Sequence, residues 1–232
     1  MTRVLALVAD LGAADGVAAR LGPLSPASQA RIDRIHAPQR RAQSALARRL
    51  AALVAARLVG REVAAAGLEE TADDTGPRIV GFPGLCVSIA HSRERIAVAV
   101  GDGPLGIDIE RCDDGRDGLS LARHACSAAE VAWLEAGTPN ERTARFYLLW
   151  TLREAAFKAG LQPTARGGDS CLDPNSGSAR FCWGSEVQEG YRASVVTRSA
   201  TEVEWLQLGG APLRLVGLRT ERLGHAGATV TG

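Results

Sequence analysis

Apolar and polar positions along the chain change period several times, and each change marks an element. Residues 3–9, Arg-Val-Leu-Ala-Leu-Val-Ala, are a nearly unbroken apolar run and predict a short buried β-strand. Residues 38–59 take a helical period, with Leu46, Leu50, Leu53 and Ala56 or Arg57 near one stripe, Pro38 in the first turn and Gly60 as the stop. The glycine- and acid-rich stretch at 68–78 reads as a loop. Three short strands are expected after it, at 85–91, 94–100 and 104–110, with Ser92-Arg93 as the hairpin turn between the first two. Residues 111–118 form a polar loop.

Ser127 and Glu130 have the spacing of a capping box and open a helix to about Ala136. Thr138-Pro139-Asn140-Glu141 opens another, which ends at Gly160 and whose inner face is apolar through Phe146, Leu149, Trp150 and Phe157. Strand-like runs follow at 179–183, 192–198, 202–208 and 213–219, and the polar tail after Leu223 is expected to be disordered. Helices and strands mixed in this way predict an α+β fold.

The length of 232 residues suits one large domain or two small ones. No apolar run is long enough to span a bilayer, and Asp10 interrupts the N-terminal one, so a first strand is expected there, not a signal peptide, and a cytoplasmic protein. Cys86, Cys112, Cys126, Cys171 and Cys182 are odd in number and contain no C-x-x-C, which argues for reduced, packed thiols and against a disulfide framework or a zinc knuckle. Aromatics are 4% of the chain, too few for the stacking platforms of a single-strand nucleic-acid binder. Trp133, Trp150, Trp183 and Trp205 read as packing residues, and His36, His124 and His225 as structural or surface groups. Net charge is +1, but residues 1–61 hold ten arginines against three aspartates, a local +7. That segment is either a solvated helix face or a site for a phosphorylated ligand or an acidic protein.

Asp108 and Glu110, two apart on a strand, share one face, while Ile107 and Ile109 turn to the core. Such a pair is either solvated at a sheet edge or bridged by a cation, and Mg²⁺ accepts one or two carboxylates with water and phosphate oxygens. Glu154 offers a third carboxylate. Lys158, the only lysine in the chain, stands four residues on, where i and i+4 share a helix face. It is either a surface partner of Glu154 or a group that neutralises a phosphate bridging to the metal. Arg41 and Arg48, seven apart, project from one side of their helix and add phosphate contacts. The assembled picture is Mg²⁺-dependent transfer from a pyrophosphate-containing donor.

Gly-Ile-Asp-Ile-Glu at 106–110, followed about 40 residues later by Trp-Thr-Leu-Arg-Glu-Ala-Ala-Phe-Lys at 150–158, resembles the 4′-phosphopantetheinyl transferase superfamily. The likeness is to its longer, monomeric kind, called Sfp-type, whose signatures are G-[IV]-D-x-E and [FW]-x-x-[KR]-E-[SA]-x-x-K. Ala90-His91-Ser92 stands where that family carries a histidine, and the helix with Arg41 and Arg48 is similar to its arginine-rich helix; the resemblance covers about residues 38–160. It implies transfer of the 4′-phosphopantetheine arm of coenzyme A to a serine of an acidic acyl or peptidyl carrier protein, releasing adenosine 3′,5′-bisphosphate. Asp108, Glu110 and Glu154 would hold Mg²⁺. Glu154 or a metal-held water would be the base, and Lys158 would hold a phosphate oxygen. His91 would meet the 3′-phosphate, with Arg41, Arg48 and Arg78 at the nucleotide end. The family departures are Ala90 for a common serine, Arg153 for lysine, and Gly76-Pro77-Arg78 for a Gly-Lys-Pro turn. The resemblance also implies two similar α/β halves forming an intramolecular pseudo-dimer, 1–103 with the nucleotide contacts and 104–232 with the metal site and catalytic helix. Two other readings stay open on the residues: a Mg²⁺-dependent nucleotide pyrophosphate hydrolase, and a non-catalytic coenzyme A- or carrier-binding module, against which the intact carboxylates and Lys158 argue.

Overall fold

The structure is a computed structural model that describes residues 3–12, 16, 21–71, 76–161, 182–198, 202–209 and 214–222. Its strands are β1 (Arg3–Asp10), β2 (Leu68–Glu69), β3 (Arg78–Ile79), β4 (Leu85–Ser92), β5 (Arg95–Asp102), β6 (Leu105–Arg111), β7 (Cys182–Gln188), β8 (Tyr191–Thr197), β9 (Glu202–Gly209) and β10 (Arg214–Arg222). Its helices are α1 (Pro26–Asp33), α2 (Pro38–Val59), α3 (Gly118–Ala125), α4 (Ala128–Glu135) and α5 (Pro139–Lys158). The α+β expectation holds.

A five-stranded sheet in the order β10-β9-β1-β5-β4 and a three-stranded sheet in the order β6-β8-β7 build the centre, beside a small β2-β3 pair. The apolar run of β1 is explained by burial on both faces. Leu5 and Leu7 pack with Leu46, Leu50 and Val54 of α2, while Val4, Ala6 and Val8 pack with Ile107 and Ile109 of β6 and Val195 of β8. The far side of the second sheet meets α5, where Val196 packs with Leu149, Leu152 and Ala155. The layers are therefore α2, first sheet, second sheet and α5. The strands β9 and β10 join the first sheet, β9 running parallel to β1, so residues 202–222 lie across the expected division near residue 103.

Both capping boxes form, Ser127 with Glu130 and Thr138 with Glu141, and α2 has the expected limits with Gly60 in the left-handed region. Several expectations shift. The buried stripe of α2 runs through Val54, not Leu53, with Ala47, Ala51 and Ala55 beside it, because small side chains let the helix lie close on the sheet. The hairpin turn is Arg93-Glu94, since Ser92 still pairs with Arg95, and Arg93 takes φ 52°. Phe157 is 61% exposed and outside the apolar face assigned to it, whereas Trp150 packs partly buried beside Phe146. The strand expected at 179–183 begins at Cys182; its first residues, Leu213, Cys171, His225, the tail after Leu223 and positions 72–75 of the expected loop lie outside the described residues. The short α1, capped by Ser25, has no clear apolar period to announce it, whereas the short α3, capped by Asp117, is amphipathic and stands outside the expected elements.

Candidate active site at the seam between the sheets

Gly106 brings the two motifs together. A Cβ there would lie 1.9 Å from the carbonyl oxygen of Ala155, so only glycine lets α5 settle this closely on β6. Settled there, α5 delivers Lys158 to the strand. Its Nζ donates to Asp108 Oδ1 at 2.7 Å and to the Ile107 carbonyl at 3.2 Å. The lone lysine thus pairs with Asp108 and not with Glu154, one turn before it.

Asp108 is buried, 7% exposed, with Ile107 and Ile109 buried on the other face of β6. Burial pushes its carboxyl up to about 6; the Lys158 ammonium pulls back, and the neighbouring Glu110 and Glu154 carboxylates push further up. Its Oδ2 is buried with no hydrogen-bond partner. Glu110 is half-buried, and its Oε2 accepts from the Ser92 hydroxyl at 3.0 Å. Glu154 is half-buried on α5. Among the described residues no three His, Cys, Asp or Glu side chains are gathered into a metal-holding group. The chemistry of the set still suits a hard ion that takes one or two carboxylates and completes its shell with phosphate and water: all donors are carboxylate oxygens, and one is buried and unpartnered.

A cleft of about 720 Å³ opens beside Lys158, lined by Arg40, Ser44 and Arg48 of α2, by Glu70 and His91, and by the exposed Phe157. Arg40 donates to His91 Nδ1 at 2.7 Å. Burial, then the Arg40 charge, holds the imidazole below its usual range, so it is neutral with its proton on Nε2. Arg48 is buried and forked onto Glu70 at 2.6 and 2.9 Å, and its Nη1 reaches the Ser44 hydroxyl at 2.6 Å. Glu70 also accepts from Ser28 at 2.7 Å and faces Arg31 at 3.5 Å.

Of the expected residues, Lys158, Arg48 and His91 line this cleft, and Asp108 meets it through Lys158. Arg41 is exposed and does not line it; Arg40 does, because one residue turns a helix by about 100°. Arg78 lines an adjoining cleft of about 530 Å³ that shares Gly76, Pro77, Lys158 and Gly160 with the first. Arg153 reaches the fully buried Glu130 at 3.3 Å, which gives the arginine a structural partner on α4. Ala90 packs in the core between the sheets. Sequence reasoning passed over Arg40, Ser44 and Glu70; the usable signal was the i, i+4, i+8 spacing of Arg40, Ser44 and Arg48.

Residues 104–196 match a family model described as the 4′-phosphopantetheinyl transferase superfamily. Over that segment the chain is similar to that superfamily. It is 35% identical over 82 residues to a 4′-phosphopantetheinyl transferase of Bacillus subtilis, covering 35% of this chain and 36% of the relative. It is 33% identical over 72 residues to the 4′-phosphopantetheinyl transferase gsp of Aneurinibacillus migulanus, 31% of this chain and 30% of that one. It is 36% identical over 75 residues to the 4′-phosphopantetheinyl transferase AcpT of Salmonella typhimurium, 32% and 39% of the two chains. The matches span about a third of the length of these curated relatives. The matched segment begins at β6 and contains the contact of Gly106 with Ala155. Among the described residues no helix is long and apolar enough to cross a membrane.

Proposed function

We propose that the protein transfers the 4′-phosphopantetheine arm of coenzyme A to a serine of an apo acyl or peptidyl carrier protein. The observation that carries this reading is one lysine joining two environments: Lys158 lines the cationic cleft and also touches the buried carboxylate of Asp108. A diphosphate donor needs both, cations for its phosphates and carboxylates for an ion. In this reading residues 1–103 supply the nucleotide contacts and 104–232 the ion site and the catalytic helix.

Arg40 and the neutral His91 receive the 3′-phosphate, with Arg48 and Glu70 holding that wall of the cleft in place. Arg78 serves the nucleotide from the adjoining cleft, and Arg41 adds charge at the rim. Mg²⁺ would be held by Asp108 and Glu110 beside Glu154, and when bound supplies charge neutralisation for the pyrophosphate. Glu154 takes the proton of the acceptor serine as its oxygen bonds to the β-phosphorus. The bond from that phosphorus to the bridging oxygen breaks, and adenosine 3′,5′-bisphosphate leaves with the electron pair. Lys158 stabilises charge on the phosphates through this step. Exposed arginines of the first 61 residues, a segment of net +7, steer an acidic carrier to the site, and the enzyme works as a monomer.

The test incubates the protein with Mg²⁺, coenzyme A and an apo carrier protein, and weighs the carrier by mass spectrometry. Gain of one phosphopantetheine group on the carrier is expected. Coenzyme A cleavage that does not require the carrier would replace the reading by a hydrolase, and binding of coenzyme A without product by a binding module.

A further inference from the structure

The strand β6 lies at the edge of its sheet, and two of its backbone N–H groups are taken by serines of β4 from the other sheet. Ile107 N donates to Ser88 Oγ at 3.0 Å, and Arg111 N donates to Ser92 Oγ at 3.1 Å. The two serines are four residues apart, as are the two amides, so they perform the same structural duty along one seam. They differ in their surroundings: Ser88 is buried and lines the cleft beside Lys158, whereas Ser92 is half-buried and does not line it. The hydroxyl proton of Ser92 goes to Glu110 Oε2 at 3.0 Å, while Ser88 touches no carboxylate.

We propose that Ser92 is a positioning residue for the metal-binding carboxylate of Glu110. This rests on the reading of Asp108 and Glu110 as ion ligands given above. A serine hydroxyl has one proton and two acceptor lone pairs. The Arg111 amide fixes the oxygen from one side, which aims the proton at Glu110. One carboxylate oxygen is thereby held and the other is left for the ion. A free glutamate side chain would have to be ordered at the moment of binding, at an entropic cost. Groups that orient metal ligands typically carry about 10–100-fold in metal affinity. His91, the preceding residue, turns to the nucleotide cleft, so the end of β4 serves both halves of the donor.

The experiment measures Mn²⁺ binding by electron paramagnetic resonance on the intact protein without coenzyme A, beside thermal unfolding of each metal-free variant. Ser92→Ala is expected to weaken Mn²⁺ binding about tenfold or more. Ser92→Thr, which keeps the hydroxyl, should restore most of it. Ser88→Ala loses the equivalent backbone bond, and should cost comparable stability but leave Mn²⁺ affinity unchanged. In a Glu110→Gln background the Ser92→Ala effect should vanish, as a double-mutant cycle requires. Equal loss of affinity in Ser88→Ala and Ser92→Ala, or no loss in Ser92→Ala, overturns the proposal. If Glu110→Gln weakens binding while Ser92→Ala does not, only the role of Ser92 falls. If Glu110→Gln has no effect, or the wild type binds no Mn²⁺, the ion site itself falls and the role of Ser92 with it.

Discussion

Replacing Asp108 by Asn should make the metal-free protein more stable at neutral pH while abolishing transfer. The carboxyl is buried, and burial pushes it up to about 6 from the ordinary 3.8 against the pull of Lys158. A gap of about 2 pH units corresponds to about 3 kcal/mol. The sign follows from proton binding. The unfolded chain releases this proton near the ordinary value and the folded chain near 6. Between those values the folded state holds more protons, so stability falls as pH rises and the loss is complete above the folded value. Below the ordinary value the group makes no difference.

Asparagine cannot ionise and stands in for the neutral acid. Measured by urea unfolding with a chelator present, Asp108→Asn should match the wild type near about pH 3.5 and exceed it by up to about 3 kcal/mol near about pH 7.5. Comparing the two proteins at each pH cancels the titration of groups remote from Asp108, leaving that of Asp108 with its coupled neighbours Lys158, Glu110 and Glu154. Phosphopantetheine transfer, read as mass gained by a carrier protein, should be lost. The refuting result is a variant that is less stable than the wild type at neutral pH by more than at acid pH. That would mean the Lys158 ion pair outweighs desolvation, and the carboxylate would then be a structural anchor instead of a group held ready for a cation.

Glu70 should behave in the opposite way: burial alone would raise its carboxyl, but its bonds to Arg48 and Ser28 and the charges of Arg48 and Arg31 hold it below the ordinary range. Its stabilisation is present at neutral pH and is lost as pH falls through its folded value, so Glu70→Gln should destabilise the protein more near neutrality than in acid, checked in the same unfolding series. Lys158→Arg should cut turnover by at least about tenfold with little change in thermal midpoint, because a flat fork cannot replace a compact ammonium that meets both Ile107 O and Asp108; wild-type turnover would refute a specific need for lysine. Gly106→Ala should cost more than about 3 kcal/mol or leave no soluble protein, since its Cβ would overlap the Ala155 carbonyl; an unfolding midpoint near that of the wild type would show that α5 can back away from β6 at no cost.

Local signals carried most of the fold: the capped starts of α4 and α5, the limits of α2 and the alternation of β6 are set by neighbours within a turn or a pleat, and they were legible. The site was legible as residue types and illegible as contacts. Arg41 and Arg40 are equivalent on paper; which one faces His91 depends on how α2 is rotated on the first sheet, and that rotation is set by Leu46, Leu50 and Val54 meeting β1 and β5. The contact of Lys158 with Asp108 is hidden from the sequence for the same reason. Spacing along α5 offers Lys158 either Glu154 or a phosphate, and says nothing of the strand that α5 covers, to which the ammonium turns. Gly106 explains why. With no side chain between them, β6 and α5 approach until the carbonyl of Ala155 occupies the place of a Cβ, and at that distance a lysine one turn further on reaches Asp108. The glycine of the first motif and the lysine of the second are thus two ends of one packing contact. Loss of Gly106 should therefore disturb Asp108 as surely as loss of Lys158 does.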